Sequence, residues 1–155
     1  MPTPISLALV AMFLYLVLNL IIGGAAVLQG SMSMYMVGAE SILALLIIFG
    51  TMKGNRLAWQ GGRLGGLVGF IYYGYKTALL YVRPENNLGL GDRMVELMAL
   101  GIQAVCLLVV YGAFATHPAK SHFELICPQC SESSGTTNGD LFFTTVRCKN
   151  CNYTF

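Results

Sequence analysis

Four of the five cysteines fall in one stretch near the C-terminus, as Cys127-Pro-Gln-Cys130 and Cys148-Lys-Asn-Cys151. Two cysteines separated by two residues can wrap a tight turn that aims both sulfurs at one ion. Two such turns, brought together, complete the tetrahedron that Zn(II) accepts without electronic preference. The 17-residue spacer (residues 131–147) lies within the range of four-thiolate zinc sites. A site filled by four protein ligands is closed. It leaves no position for an activated water, so the ion would be structural and not catalytic. Its task would be to fold a segment far too small to build a core unaided.

Strands must bring the two turns together, and the flanking sequence suits them. Residues 123–126 and 141–147 can pair as strands, 131–140 is a polar loop, and 152–155 supplies a third short strand. In Cys127, Cys130, Cys148 and Cys151, and in Pro128 after the first cysteine, residues 123–155 resemble the zinc-ribbon family. The resemblance implies a small β ribbon around a structural Zn(II), with a surface for docking protein or nucleic acid. One position departs from the pattern. Ribbon knuckles often carry Gly directly after the second cysteine, where Ser131 and Asn152 stand here; Asn takes a left-handed backbone more readily than Ser. Two other uses of the cysteines stay open: a rubredoxin-like iron site for electron transfer, and disulfides in an oxidising compartment. Lys120, Arg147 and Lys149 are balanced by Glu124, Glu132 and Asp140. The clustered basic charge that phosphate neutralisation requires is absent, which favours a protein partner over nucleic acid.

The rest of the chain is a different material. The 155 residues are 55% hydrophobic and only 10% charged, with mean hydropathy +0.65. An ordinary soluble domain has about 25% charged residues, so this chain cannot clothe a water-exposed surface. Disorder is excluded by the same figures. Apolar runs cover residues 5–28, 33–52, 64–82 and 94–115, and about 20 residues cross a hydrocarbon core as a helix. Pro84 cannot continue a helix and ends the third run near Val82. The expected fold is an all-α transmembrane four-helix bundle (residues 1–116), a linker (117–122) and a small C-terminal β zinc ribbon (123–155).

Positive charge sets the orientation. The stretch between the second and third spans holds Lys53, Arg56 and Arg63 and no acid, whereas the next loop balances Arg83 and Arg93 with Glu85 and Asp92. By the positive-inside rule the former is cytoplasmic, and both termini with it. The tail then lies in a reducing compartment, against disulfides. Residues 1–6 lack Lys and Arg and the first apolar run is too long for a signal peptide, so it reads as an anchor. Small size and charge bias suggest a bacterial inner membrane.

Several polar side chains fall inside the spans. Glu40 and Lys76 lie at matching depths of about 9–11 Å from the outer face, at a 1.5 Å rise per residue, and an intramembrane ion pair between them would offset the cost of each charge. Ser33, Ala44 and Thr51 share the Glu40 face; Gly69, Gly65 and Gly62 share the Lys76 face and would permit close helix contact. Otherwise Lys76 snorkels among Tyr72, Tyr73, Tyr75 and Tyr81, which resemble an interfacial belt. Asn19, with Tyr15, Gly23 and Ala26 on its side, is placed to hydrogen-bond across helices. Glu96 and Gln103 share a face of the fourth span, and Glu96 competes for Lys76. Met32, Met34 and Met36 have thioethers of the kind that bind Cu(I), but read as lipid-facing filler. His117 and His122 flank the linker, and Cys106 sits among apolar neighbours as a buried helix residue.

No catalytic motif appears. Residues 61–66, Gly-Gly-Arg-Leu-Gly-Gly, lack the Lys and the preceding strand of a phosphate loop. The expectation is a non-enzymatic membrane scaffold or complex subunit that presents a structural zinc ribbon for protein docking and that can self-associate. The alternatives are a small oligomeric transporter or channel subunit using Glu40 and Lys76, and a membrane-anchored electron carrier with iron in the tail.

Overall fold

A computed structural model describes residues 2–28, 30, 33–82, 90–123, 125–131, 148 and 150–153, with the backbone alone for 90–93. Among these residues lie four long helices, α1 (Thr3–Leu28), α2 (Met34–Met52), α3 (Arg56–Val82) and α4 (Leu90–Ala115), and a short α5 (His117–His122). The apolar runs are rich in Leu, Ala and Met, good helix formers. Pro4 falls in the first turn of α1, where its missing N–H is no loss. Ser33 caps α2 by accepting the Tyr35 N–H.

The long helices form a ring in chain order. α1 packs on α2 and α4, and α3 packs on α4 and α2, with the α3–α4 pair the most extensive. The bundle has an inverted look for a protein in water. Its interior holds small residues such as Ala8, Ala11, Ala104 and Ala113, while Leu7, Val10, Phe13, Ile21, Leu46 and Val105 point outward. Bulky apolar residues on outer faces are what lipid accepts and water does not. Thr3–Leu28, Met34–Met52 and Met94–Ala115 are each long and apolar enough to cross a membrane. Helix α3 has 27 residues, but its glycines, tyrosines, Arg63 and Lys76 lower its hydropathy.

Close approach of α3 to α4 depends on missing side chains. A Cβ on Gly66 would lie 2.9 Å from the Leu107 carbonyl oxygen, and one on Gly62 would run into the Phe114 ring. Gly69, against Leu107, and Gly62 make close contacts of the kind expected of them, but Gly65 has open space around it and Gly66 makes the close contact instead.

Three segments differ from the sequence expectation. α3 begins at Arg56, eight positions before residue 64, because the Asn55 side chain accepts the Leu57 N–H at 2.8 Å and starts the helix early. The α2–α3 connection is therefore a tight turn, closed by Asn55 N–H to Gly50 O (2.8 Å), with Gly54 at φ +69°. Residues 117–122, expected as a linker, are helical: Thr116 caps α5 and Pro118 stands in its first turn. Of residues 123–126, expected as a strand, Phe123 closes α5 and Ile126 makes an isolated β-bridge, while Glu124 lies outside the described residues. No β-strand occurs among the described residues; 141–147, 154 and 155 lie outside them.

Candidate metal centre and polar interior

The described residues of the two Cys-x2-Cys segments share the same closing hydrogen bond. Ser131 N–H donates to Cys127 O and Asn152 N–H to Cys148 O, both at 2.9 Å. The residue after the second cysteine is left-handed in each case, with φ 56° at Ser131 and 59° at Asn152. A left-handed backbone favours Gly, so a strained conformation is accepted at these two positions to turn the chain back on its sulfurs. Cys148 N–H also donates to Tyr153 O at 2.7 Å, closing the second turn.

The sulfurs of Cys127, Cys130, Cys148 and Cys151 all lie within 4.8 Å of one another. Cys127 Sγ is 3.5 Å from Cys151 Sγ, and Cys130 Sγ is 3.5 Å from Cys148 Sγ, so the close pairs cross from one turn to the other. A tetrahedral ion with metal–sulfur bonds of about 2.3 Å sets sulfurs about 3.8 Å apart. The donor set fits a four-thiolate metal. It does not fit disulfides, whose sulfurs are bonded at about 2.05 Å, and all four cysteines are free. The N–H of Cys151, and then that of Asn150, pull the Cys148 thiol down to about 6 by stabilising its thiolate. Cys127 and Cys148 are buried, whereas Cys130 and Cys151 are partly exposed.

Helix α5 seats this centre on the bundle. Phe123 is fully buried, edge-to-face on Phe114 of α4 at 5.4 Å, and Leu125 is buried two residues before Cys127. His122 Nε2–H donates to the Thr51 carbonyl at the end of α2, 2.9 Å away. Gly54 leaves room for the His122 carbonyl, which a Cβ there would approach to 2.9 Å. The two histidines thus serve different ends: His122 ties the tail to the α2–α3 turn, while His117 opens α5.

Within the bundle, Glu40 meets tyrosines and not Lys76. Tyr73 OH donates to Glu40 Oε2 at 3.1 Å, and Tyr15 OH lies 3.2 Å from Tyr73 OH. Lys76 Nζ lies 4.8 Å from the Tyr72 ring centre. Among the described residues no ion pair joins Glu40 to Lys76; Glu40 lines a narrow groove with Gly61 and Gly65, and Lys76 lines a separate cavity with Glu96. Tyr73, which its spacing places in an interfacial belt, is buried, unlike Tyr72, Tyr75 and Tyr81. Its helical face carried the signal. Steps of 7 and 11 residues from Tyr73 reach Gly66 and Gly62, both buried.

Asn19 donates to Ser41 Oγ of α2 at 3.3 Å, as its mid-span position suggested. Arg63, a loop charge by sequence, lies within α3. Its guanidinium lies over both Trp59 (5.0 Å) and Tyr111 (5.7 Å). Cys106 is buried, and Met34 and Met36 are exposed, with Met32 outside the described residues. Compared with known proteins, the chain matches no family model, no curated protein and no solved structure.

Proposed function

We propose that this chain is a non-enzymatic integral membrane scaffold whose four helices all span the bilayer and whose tail is a zinc ribbon that docks a protein partner. The observation that carries it is the convergence of four cysteine sulfurs on a closed site that α5 seats against the basic turn of the bundle. Closure excludes an activated water at the ion, so the ion's role is to hold a surface in shape.

Helix α3 belongs among the spans despite its hydropathy. Leu64, Val68 and Ile71 are exposed on it, spaced four and three residues apart as one lipid-facing stripe. Tyr73 turns toward other helices, while Tyr72, Tyr75 and Tyr81 lie exposed in the C-terminal half of the helix, where an interfacial belt would sit. The Lys53 and Arg56 end is then cytoplasmic, with both termini, in keeping with free thiols in a reducing compartment. We place the protein in a bacterial inner membrane on its size and charge bias. Zn(II) fits the closed thiolate set best, and a red iron-bearing preparation would favour the electron-carrier reading instead.

The reading is tested by affinity purification of the full chain in mild detergent, beside Cys148→Ser. A partner retained by the native chain and lost with the metal in the variant supports docking through the ribbon. A partner retained equally by both overturns it.

A further inference from the structure

The half of the bundle remote from the cysteines contains a cavity of about 260 Å³ between α1, α3 and α4. Asn19, Tyr72, Tyr73, Lys76, Glu96 and Gln103 line it. Lys76 stands six residues before the end of α3 and Glu96 six residues after the start of α4, so both reach the cavity from the end of the bundle opposite the metal centre.

We propose that this cavity binds a zwitterion, a molecule with an ammonium and an anionic oxygen group a few ångströms apart. Opposite charges face one space, yet no ion pair joins Lys76 to Glu96 among the described residues. Ionisable groups at membrane depth are costly unless compensated. A single zwitterion compensates both, its anion on Lys76 and its ammonium on Glu96. Gln103 adds a second observation. It is only 2% exposed, lines the cavity, and has no protein hydrogen-bond partner among the described residues. A buried amide, donor and acceptor at once, calls for a polar occupant. Asn19 is equally buried but already donates to Ser41.

The size bounds the ligand. At ~30 Å³ per water the space holds roughly nine waters, enough for a small amino acid or a phosphoethanolamine group and too little for a whole lipid. The shared chemistry therefore has two sources, a free solute or the headgroup of an ethanolamine phospholipid whose chains stay outside the bundle.

Full-length protein in detergent is titrated calorimetrically with L-leucine and with phosphoethanolamine, and with acetate and ethylamine as single-charge controls. In parallel, native mass spectrometry measures retention of phosphatidylethanolamine against phosphatidylglycerol. Saturable one-to-one binding of a zwitterion, weakened about tenfold or more by Lys76→Met and by Glu96→Gln, is the expected result. Binding of the free solutes identifies a soluble ligand, and selective retention of phosphatidylethanolamine alone identifies the lipid. The proposal is overturned if no zwitterion binds, if the single-charge controls bind as well, or if both variants bind like the native chain. The control ligands keep the test decisive even where a variant fails to fold.

Discussion

Ser131 and Asn152 occupy equivalent positions one residue past Cys130 and Cys151, and they share a left-handed backbone, φ 56° and 59°. The tail thus contains the same turn twice, each closed by an N–H to the carbonyl four residues earlier. That repetition is what aims four sulfurs at one point.

It predicts an asymmetric response to glycine. A left-handed backbone costs an ordinary L-residue about 1–2 kcal/mol and Gly nothing comparable, with Asn intermediate. Ser131→Gly is expected to tighten metal binding by about fivefold, roughly 1 kcal/mol, and Asn152→Gly by less. Chelator competition on the purified chain measures both; a larger gain at Asn152 would contradict this.

Acid should empty the site. Metal binding requires thiolates, so protons compete with the ion. The Cys148 thiol sits at about 6, below its ordinary 9.0. A depressed folded value contributes stability that is fully present above 9 and is lost as pH falls through 6. Metal retention against a fixed chelator is therefore expected to be greatest above pH 9 and to weaken steadily as pH falls toward 6, with the raised Cys151 thiol adding to the loss. Undiminished retention well below that pH would count against thiolate ligation.

The α3–α4 contact separates two neighbouring glycines. Gly66→Ala would press a methyl on Leu107 O and on the Tyr111 backbone N–H, 2.9 and 3.2 Å from its Cβ, and backbone cannot yield cheaply. A loss of about 1–3 kcal/mol is expected. Gly65→Ala meets nothing within 4 Å and gains up to about 1 kcal/mol of helix propensity. Unfolding in detergent with denaturant should rank them in that order, and equal effects would refute the assigned helix face.

The partner of Glu40 is open to a double-mutant cycle. Glu40→Gln and Tyr73→Phe are expected to couple by about 0.6–1.7 kcal/mol, the range for hydrogen bonds between membrane helices. Glu40→Gln and Lys76→Met should be close to additive. Strong coupling of the second pair and none of the first would restore the ion pair.

The sequence made the four-cysteine cluster legible because cysteine spacing encodes a local turn, and a local turn needs nothing distant to form. It made the apolar helices legible because length and composition decide whether lipid accepts them. The early start of α3 is hidden by Arg56 and Arg63, whose charges are typical of a loop; the bonds of Asn55 to the Leu57 and Trp59 N–H groups start the helix there. Thr116 and Pro118 form a helix start that the polar composition of residues 117–122 hides. Which residue meets Glu40 depended on rotations of α2 and α3 that neither span's composition fixes. Depth alone favoured Lys76; the buried face shared by Tyr73, Gly66 and Gly62 decided otherwise.

X-ray absorption at the zinc edge of the purified full chain tests the central claim most directly. One zinc per chain, surrounded by four sulfurs at about 2.3 Å, is the result expected. A chain without stoichiometric metal, or an ion with nitrogen, oxygen or fewer than four sulfurs around it, would contradict the account.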